Sequence, residues 1–323
     1  MKKILRFVLA LSLIFSMIGL AACSSVPGAA SEGPKSENVN VETDTSITIE
    51  HELDQISIKK NPERVVVFDF GVLDILDYIE KDIVGLPKQS LPPFLDKYND
   101  GLYRDVGTLK EPNFETIFEL KPDLIIISAR QASLYDEFKK IAPTLYLDFK
   151  GQDYLNSFKS NVSTLGQIFD KGELLAQEVE SIEKDINAVQ ELASSRAVTA
   201  LFVMANDGSL SVYGADSRFG IIHNEFGLAQ ADENIDTSTH GQKVTFEYIV
   251  EKDPDHLFVV DRAAVVGGET SAQQVMDNDF IKSTKAYKNQ NITYLDPFVW
   301  YVTSGGITGI KTMIREVESA ISN

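Results

Sequence analysis

The sequence predicts an α/β protein of two Rossmann-like lobes joined by a single long α-helix. Three observations carry that prediction. A 17-residue pattern occurs twice, at 114–130 and at 246–262. Short apolar runs alternate with helix-spaced segments, as in a parallel sheet covered by helices. One uninterrupted amphipathic stretch lies between the two copies.

Both copies read Phe-Glu-x-Ile, four further residues, Pro-Asp, an apolar run and an arginine, with an offset of 132 residues at every matching position. Phe114, Ile117 and Phe118 have helical spacing, as do Phe246, Ile249 and Val250. The runs 124–127 and 257–260 are continuous and apolar, as in strands buried on both faces. Each copy is therefore a helix, a tight Pro-Asp turn and a strand leading into an arginine. Open α/β sheets bind ligands at the carboxyl ends of their strands. Arg130 and Arg262 are thus candidate ligand cations. Glu115 and Glu247, at matching helix starts, are the second pair the repeat produces.

In chain order, 1–22 has a basic start (Lys2, Lys3, Arg6), an apolar centre and the sequence Leu20-Ala21-Ala22-Cys23. That is a secretory signal, and Leu-Ala-Ala-Cys resembles a bacterial lipobox. The resemblance implies cleavage before Cys23 and a diacylglyceryl thioether on its sulfur. Residues 23–44, rich in small and polar types, are too poor in large apolar residues to order themselves and read as a tether. The N-terminal lobe, 45–170, opens with a hairpin of 46–50 and 56–58. Strand 65–68, helix 73–79, strand 83–86, irregular 87–103, the first repeat, helix 133–141, strand 144–147 and helix 154–169 follow. The connecting helix, 171–195, is amphipathic and roughly 37 Å long at ~1.5 Å per residue, long enough to act as a strut. The C-terminal lobe, 196–323, begins with strand 198–204 and a hairpin at Asn206-Asp207-Gly208. Arg218 then sits in a polar, Gly-flanked loop. Helix 221–226 and a polar loop holding His240 lead to the second repeat. Helix 273–280, strand 292–295, a loop with Trp300-Tyr301 and Gly305-Gly306, and a final helix end the chain.

Composition narrows the function. The 323 residues carry a net charge of −18 and are 43% apolar. An acidic chain is a poor partner for nucleic acid. The one cysteine, Cys23, leaves no intramolecular disulfide. No Walker loop, HExxH, Gly-x-Ser-x-Gly or cysteine nucleophile is present, so an enzyme is not expected. The four histidines are far apart in sequence, which makes a metal site built only from protein a poor expectation. The guanidinium fork of Arg130, Arg218 and Arg262 suits a multiply anionic oxygen ligand. The alternative for each is a surface ion pair worth ~0–1 kcal/mol.

Lipobox, tether, two α/β lobes and one long helix resemble the iron-siderophore substrate-binding proteins of ABC importers. The segments VVVFDFG (65–71), GTLKEPNFE (107–115), PDLIIISAR (122–130), STHGQ (238–242) and WYVTSGG (300–306) are similar to the branch that binds catecholate siderophores, petrobactin-type ones included. The resemblance implies that Arg130, Arg218 and Arg262 converge between the lobes on a trianionic ferric catecholate. It implies that His240 and Tyr301 complete the iron coordination where the siderophore supplies too few oxygens. On residues alone, His240 reads as a hydrogen-bonding loop histidine and Tyr301 as a rim aromatic. Trp300 either lines the cleft or is buried in the lobe. The resemblance also implies docking on an ABC permease, with its ATPase subunit, through one acid per lobe. Those acids are Glu115 and Glu247, with Glu111 an alternative in the first lobe. A monomer on the extracytoplasmic face of the membrane, with no intrinsic cofactor, is the expected state. Other chelates the fold serves are haem, cobalamin and ferric hydroxamates.

Overall fold

A hairpin of β1 (Ser46–His51) and β2 (Asp54–Lys59) opens the computed structural model, which describes residues 46–322. The signal, Cys23 and the tether at 1–44 lie outside the described residues.

The first sheet is built from β3 (Val65–Val67), α1 (Phe70–Tyr78), β4 (Gly85–Leu86), β5 (Arg104–Asp105), α2 (Phe114–Leu120), β6 (Leu124–Ile127), α3 (Tyr135–Lys139) and β7 (Thr144–Tyr146). Its strands run in the order β5-β4-β3-β6-β7 and every pair is parallel. The order therefore reverses between β3 and β6. In open α/β sheets ligands bind outside the carboxyl ends of the strands at such a switch point.

Two helices follow, α4 (Tyr154–Ile168) and α5 (Gly172–Arg196). The long helix is displaced by one residue from the predicted span. It buries Leu175, Val179, Ile182, Ile186, Val189 and Ala193 at three- and four-residue steps.

The second half contains β8 (Thr199–Asn206), β9 (Ser209–Tyr213), α6 (Ile221–Asn224), β10 (Ala229–Gln230), β11 (Gln242–Val244), α7 (Phe246–Lys252) and β12 (His256–Asp261). It continues with α8 (Ala263–Val266), α9 (Ala272–Met276), α10 (Asp279–Ser283), α11 (Lys285–Lys288), β13 (Ile292–Leu295), α12 (Pro297–Val302) and α13 (Ile307–Ser322). The sheet order is β11-β9-β8-β12-β13, with β10 also beside β8. Strands β8, β12 and β13 are parallel, and β9 is antiparallel to both of its neighbours.

The two repeat copies fold alike in detail. Helices α2 and α7 both stop at a left-handed residue, Lys121 at φ 45° and Asp253 at φ 40°. The turn aspartate then pins the start of the neighbouring strand. Asp123 accepts the N–H groups of Glu63 and Arg64 at 2.7 and 2.8 Å, just before β3. Asp255 accepts the N–H and hydroxyl of Thr199 at 3.0 and 2.9 Å, at the start of β8. These bonds satisfy donors at the strand starts and fix the register of β6 on β3 and of β12 on β8.

Alternation along the strands divides the core. Val66, Ile125 and Ile127 face one private core with Ile117 and Phe138. Leu201, Val203, Leu257 and Val259 face another with Ile249. The opposite faces, Val65, Val67, Leu124 and Ile126 in one sheet and Phe202, Met204, Phe258 and Val260 in the other, belong to a single core with residues of α1, α4, α5 and α13. Each such side chain stabilises by ~1.5–3 kcal/mol when buried. A wide opening of the lobes would expose this shared core, so the connection is stiffer than one helix alone.

Two local expectations are corrected. The helix expected at 273–280 is broken at Asp277-Asn278, where the Asn278 side chain caps α10 through the N–H groups of Phe280 and Ile281. Trp300 and Tyr301 lie on a helix and not in a loop. Asp296 caps α12 through the N–H groups of Phe298 and Val299, and Pro297 occupies its first turn.

Candidate functional site

Each arginine is placed by the local fold. Arg130 lies in a 3₁₀ turn, Ala129–Leu134, just past the end of β6, and Ser128 and Gln131 close that turn as a capping box. Arg262 follows β12 directly, and its N–H bonds the Ala205 carbonyl at 2.9 Å. Arg218 follows β9 in a loop tied by the Ser217 hydroxyl to the Gly214 carbonyl at 2.6 Å and by the Asn224 amide to the Ala215 carbonyl at 2.9 Å. Gly151 of the first lobe seats that loop. A Cβ there would overlap the Ser217 carbonyl, and the Arg218 Cα lies 2.5 Å from where it would stand.

The three guanidinium groups meet at Tyr301. Arg130 Nη2 and Arg218 Nη2 donate to the Tyr301 carbonyl at 3.2 and 2.8 Å. Arg262 Nε donates to the Tyr301 hydroxyl at 3.0 Å, and its Nη1 to Asn206 Oδ1 at 2.8 Å. Arg218 lies 4.9 Å from the Phe219 ring centre and 5.1 Å from that of Tyr301, and Arg262 lies 5.5 Å from the Tyr301 ring. The carbonyl is free to accept because the last carbonyls of a helix have no partner within it. Tyr301 thus holds the cluster at three points.

Among the described residues no carboxylate lies within ion-pair reach of any of the three arginines. The carboxylate of Asp69 influences Arg218 electrostatically, but it already caps α1 through the N–H groups of Gly71 and Val72 at 2.9 and 3.0 Å. Burial, and then the positive charge of Arg130, pull the Arg218 guanidinium down to about 10, so it stays charged at neutral pH. Three cations with no ion-pair partner among the described residues surround one neutral carbonyl in an otherwise acidic protein, an arrangement whose chemistry suits an anionic oxygen ligand. A free anion with several oxygens would displace the carbonyl and take the guanidinium donors.

A family model described as periplasmic binding protein matches residues 65–298. The chain belongs to that family. It is 46% identical over 314 residues to the petrobactin-binding protein YclQ of Bacillus subtilis, spanning 96% of this chain and 98% of that protein. The crystal structure of that protein superposes with a TM-score of 0.84, covering 86% of this chain and 99% of the other. The ferric-anguibactin-binding protein FatB of Vibrio anguillarum is 37% identical over 283 residues, 85% of this chain and 87% of that protein. The periplasmic catecholate-siderophore binding protein VctP of Vibrio cholerae matches with a TM-score of 0.81 at 35% identity, over 85% of this chain and 100% of the other.

Within this family fold the remaining candidates fall in different places. Trp300 is corrected as a ligand contact. Its side chain is 0% exposed, and its indole N–H bonds Glu316 Oε2 at 2.7 Å. Successive residues on a helix point about 100° apart, so Tyr301 reaches the cluster while Trp300 turns into the core beside Phe202. His240 is exposed in a turn, with its N–H on Ser238 Oγ at 3.2 Å, and its imidazole has no hydrogen bond to the cluster. Its loop nevertheless borders the site, because Gly241, at φ 72°, rests on the Tyr213 ring, and Tyr213 interacts electrostatically with Arg218, Tyr301 and Arg262.

Glu115 and Glu247 are exposed in the first turns of α2 and α7, and Glu111 is exposed before α2. In sequence, Glu115 and Arg130 stand at opposite ends of the repeat unit. In space the Pro-Asp turn folds the unit back on itself. Gln131 Nε2, beside Arg130, donates to the carbonyl of Leu109 in the loop leading to α2, at 2.5 Å. Both ends of the unit therefore lie toward one edge of the sheet. Asn206 was missed from sequence. It ends β8, next to β12, so it stands beside Arg262, and its only sequence signal is the first place of a hairpin turn.

Proposed function

We propose that this protein binds a ferric catecholate siderophore outside the cytoplasm and delivers it to an ABC permease with its ATPase subunit. The observation that carries this is the convergence of Arg130, Arg218 and Arg262, none of them ion-paired, on Tyr301. A ferric tris-catecholate has three net negative charges and many oxygens, which match three guanidinium forks. The petrobactin- and anguibactin-binding relatives and the catecholate-binding structure support the same ligand class.

Iron arrives as cargo with the siderophore. Tyr301 offers a hard phenolic oxygen and His240 an imidazole, both suitable for ferric iron when the chelator leaves positions open. Cys23 would carry the lipid that holds the protein on the membrane, and Glu115 and Glu247 would meet cations on the permease. The protein acts as a monomer and needs no cofactor of its own.

Fluorescence of Trp300, the only tryptophan, tests the ligand class, because it adjoins Tyr301 on α12. Parallel titrations with ferric catecholate, ferric hydroxamate, haem and cobalamin should give tight quenching with the catecholate. Tight binding of the neutral hydroxamate alone would overturn the proposal. Tyr301→Phe should remove any phenolate-to-iron charge-transfer band; an unchanged spectrum would take Tyr301 out of the iron shell.

A further inference from the structure

Helix α13 begins with Ile307, Thr308 and Gly309, and Gly306 before it has no side chain to serve the N–H groups a helix leaves open at its start. The acceptor comes from the other lobe. Asp74, on α1, is 1% exposed, and its Oδ2 accepts the Gly309 N–H at 3.0 Å, 235 residues away in sequence. Thr308, the residue before Gly309, also interacts favourably with that carboxylate. The Gly309 N–H is the third of α13, one of the donors that a cap side chain ordinarily takes. Gly306 must lack a Cβ because one would overlap the Asp74 carboxylate.

The stretch just before α13 is gripped from the same side. The Tyr154 hydroxyl, on α4, donates to the Ser304 carbonyl. Gly305 lies against the Phe149 ring, and a Cβ on Gly71 would come within 2.9 Å of the Gly305 carbonyl carbon. Tyr301 stands at the start of this stretch, with Arg130 of the first lobe and Arg218 and Arg262 of the second on its polar atoms.

We propose that Asp74 is a positioning residue for the ligand site: by capping α13 across the lobes it fixes residues 301–309, and so the place of Tyr301 among the three arginines. It touches no ligand. This role rests on the ligand site proposed above, but the cross-lobe clasp can be read without ligand. The groups around Asp74 are Thr308 on α13, Asp77 one turn along α1, and the Tyr154 phenol from α4. Asp77 is itself engaged by the Tyr98 hydroxyl at 2.9 Å and by Lys97. The charged Lys311 of α13 is paired with Glu178 of α5. Burial raises the Asp74 carboxyl to about 6, so it caps the helix as a carboxylate at neutral pH.

The test compares the wild type with Asp74→Ala and Asp74→Asn. Hydrogen exchange of peptides spanning 301–309, without ligand, should be roughly tenfold faster in Asp74→Ala and close to wild type in Asp74→Asn, since an amide oxygen also caps. Ferric catecholate affinity should fall about tenfold in Asp74→Ala and be rescued in Asp74→Asn at pH 7.5. Unchanged exchange at 301–309 in Asp74→Ala would overturn the clasp. Unchanged affinity in Asp74→Ala would overturn the positioning role. A wild type that binds no ferric catecholate, with the exchange result as expected, would refute the ligand assignment and leave the clasp standing.

Discussion

Replacing Arg218 by alanine separates the binding role of the cluster from a structural one. In the free protein Arg218 makes a 2.8 Å bond to the Tyr301 carbonyl and stacks near two rings, but it is buried beside Arg130 and its charge is disfavoured there. Losing the cation–π contacts costs about 0.5–1 kcal/mol each, which relief of the like-charge crowding offsets. The melting temperature should therefore move by only a few degrees, at about 4–8 °C per kcal/mol for a small domain and less for one of this size. With ligand, the same side chain would make charge-assisted hydrogen bonds worth ~1.5–3 kcal/mol. At ~1.4 kcal/mol per decade, Kd should weaken about 10- to 100-fold. Thermal unfolding by circular dichroism gives the first number and fluorescence titration the second. Arg218→Lys, which keeps the charge but loses the fork, should fall between. Unchanged affinity, or a collapse of stability that matches the loss of binding, would refute the reasoning.

Gly151→Ala puts a methyl against the Ser217 carbonyl and should displace the Arg218 loop, weakening binding about tenfold and lowering stability, while Gly172→Ala, in open space at the start of α5, should do neither; equal behaviour of the two would dismiss the inter-lobe seat. His256 is 5% exposed with Nδ1 unpartnered, and burial lowers its pKa, so the unfolded chain binds more protons and stability falls as pH drops below ~6.5. His256→Phe should therefore lose less stability than the wild type between pH 7.5 and 5.5 in thermal melts, and parallel curves would contradict this. Charge reversal at both Glu115 and Glu247 should leave ligand affinity unchanged but abolish iron uptake in cells; normal uptake would remove the docking role.

The repeat made most of the fold legible, because its register carries structure as well as composition. Lys121 and Asp253 match as left-handed stops, and Asp123 and Asp255 match as clamps on the next strand. The arginines at 130 and 262 were readable as strand-end residues because two copies agreed. What sequence left open depends on contacts between distant segments. Trp300 and Tyr301 are adjacent, yet one is core and the other holds the cluster, and only their phase on α12 decides which. The Asp296-Pro297 start signal for that helix was present, but Gly305-Gly306 downstream weighed toward a loop. Those glycines answer instead to Phe149 and Asp74, more than 150 residues earlier in the chain. Asn206 could not be found from its own neighbourhood, since its role comes from β12 lying beside β8.

The central claim is that three unpaired arginines select the ligand by its charge. One tris-catecholate chelator loaded in turn with Fe(III), Ga(III) and Ti(IV) changes net charge from −3 to −2 while keeping nearly the same shape. Isothermal titration should give equal affinities for the iron and gallium complexes and a loss of roughly tenfold or more for the titanium complex, about one charge-assisted contact. Equal affinity for all three would contradict charge selection by Arg130, Arg218 and Arg262.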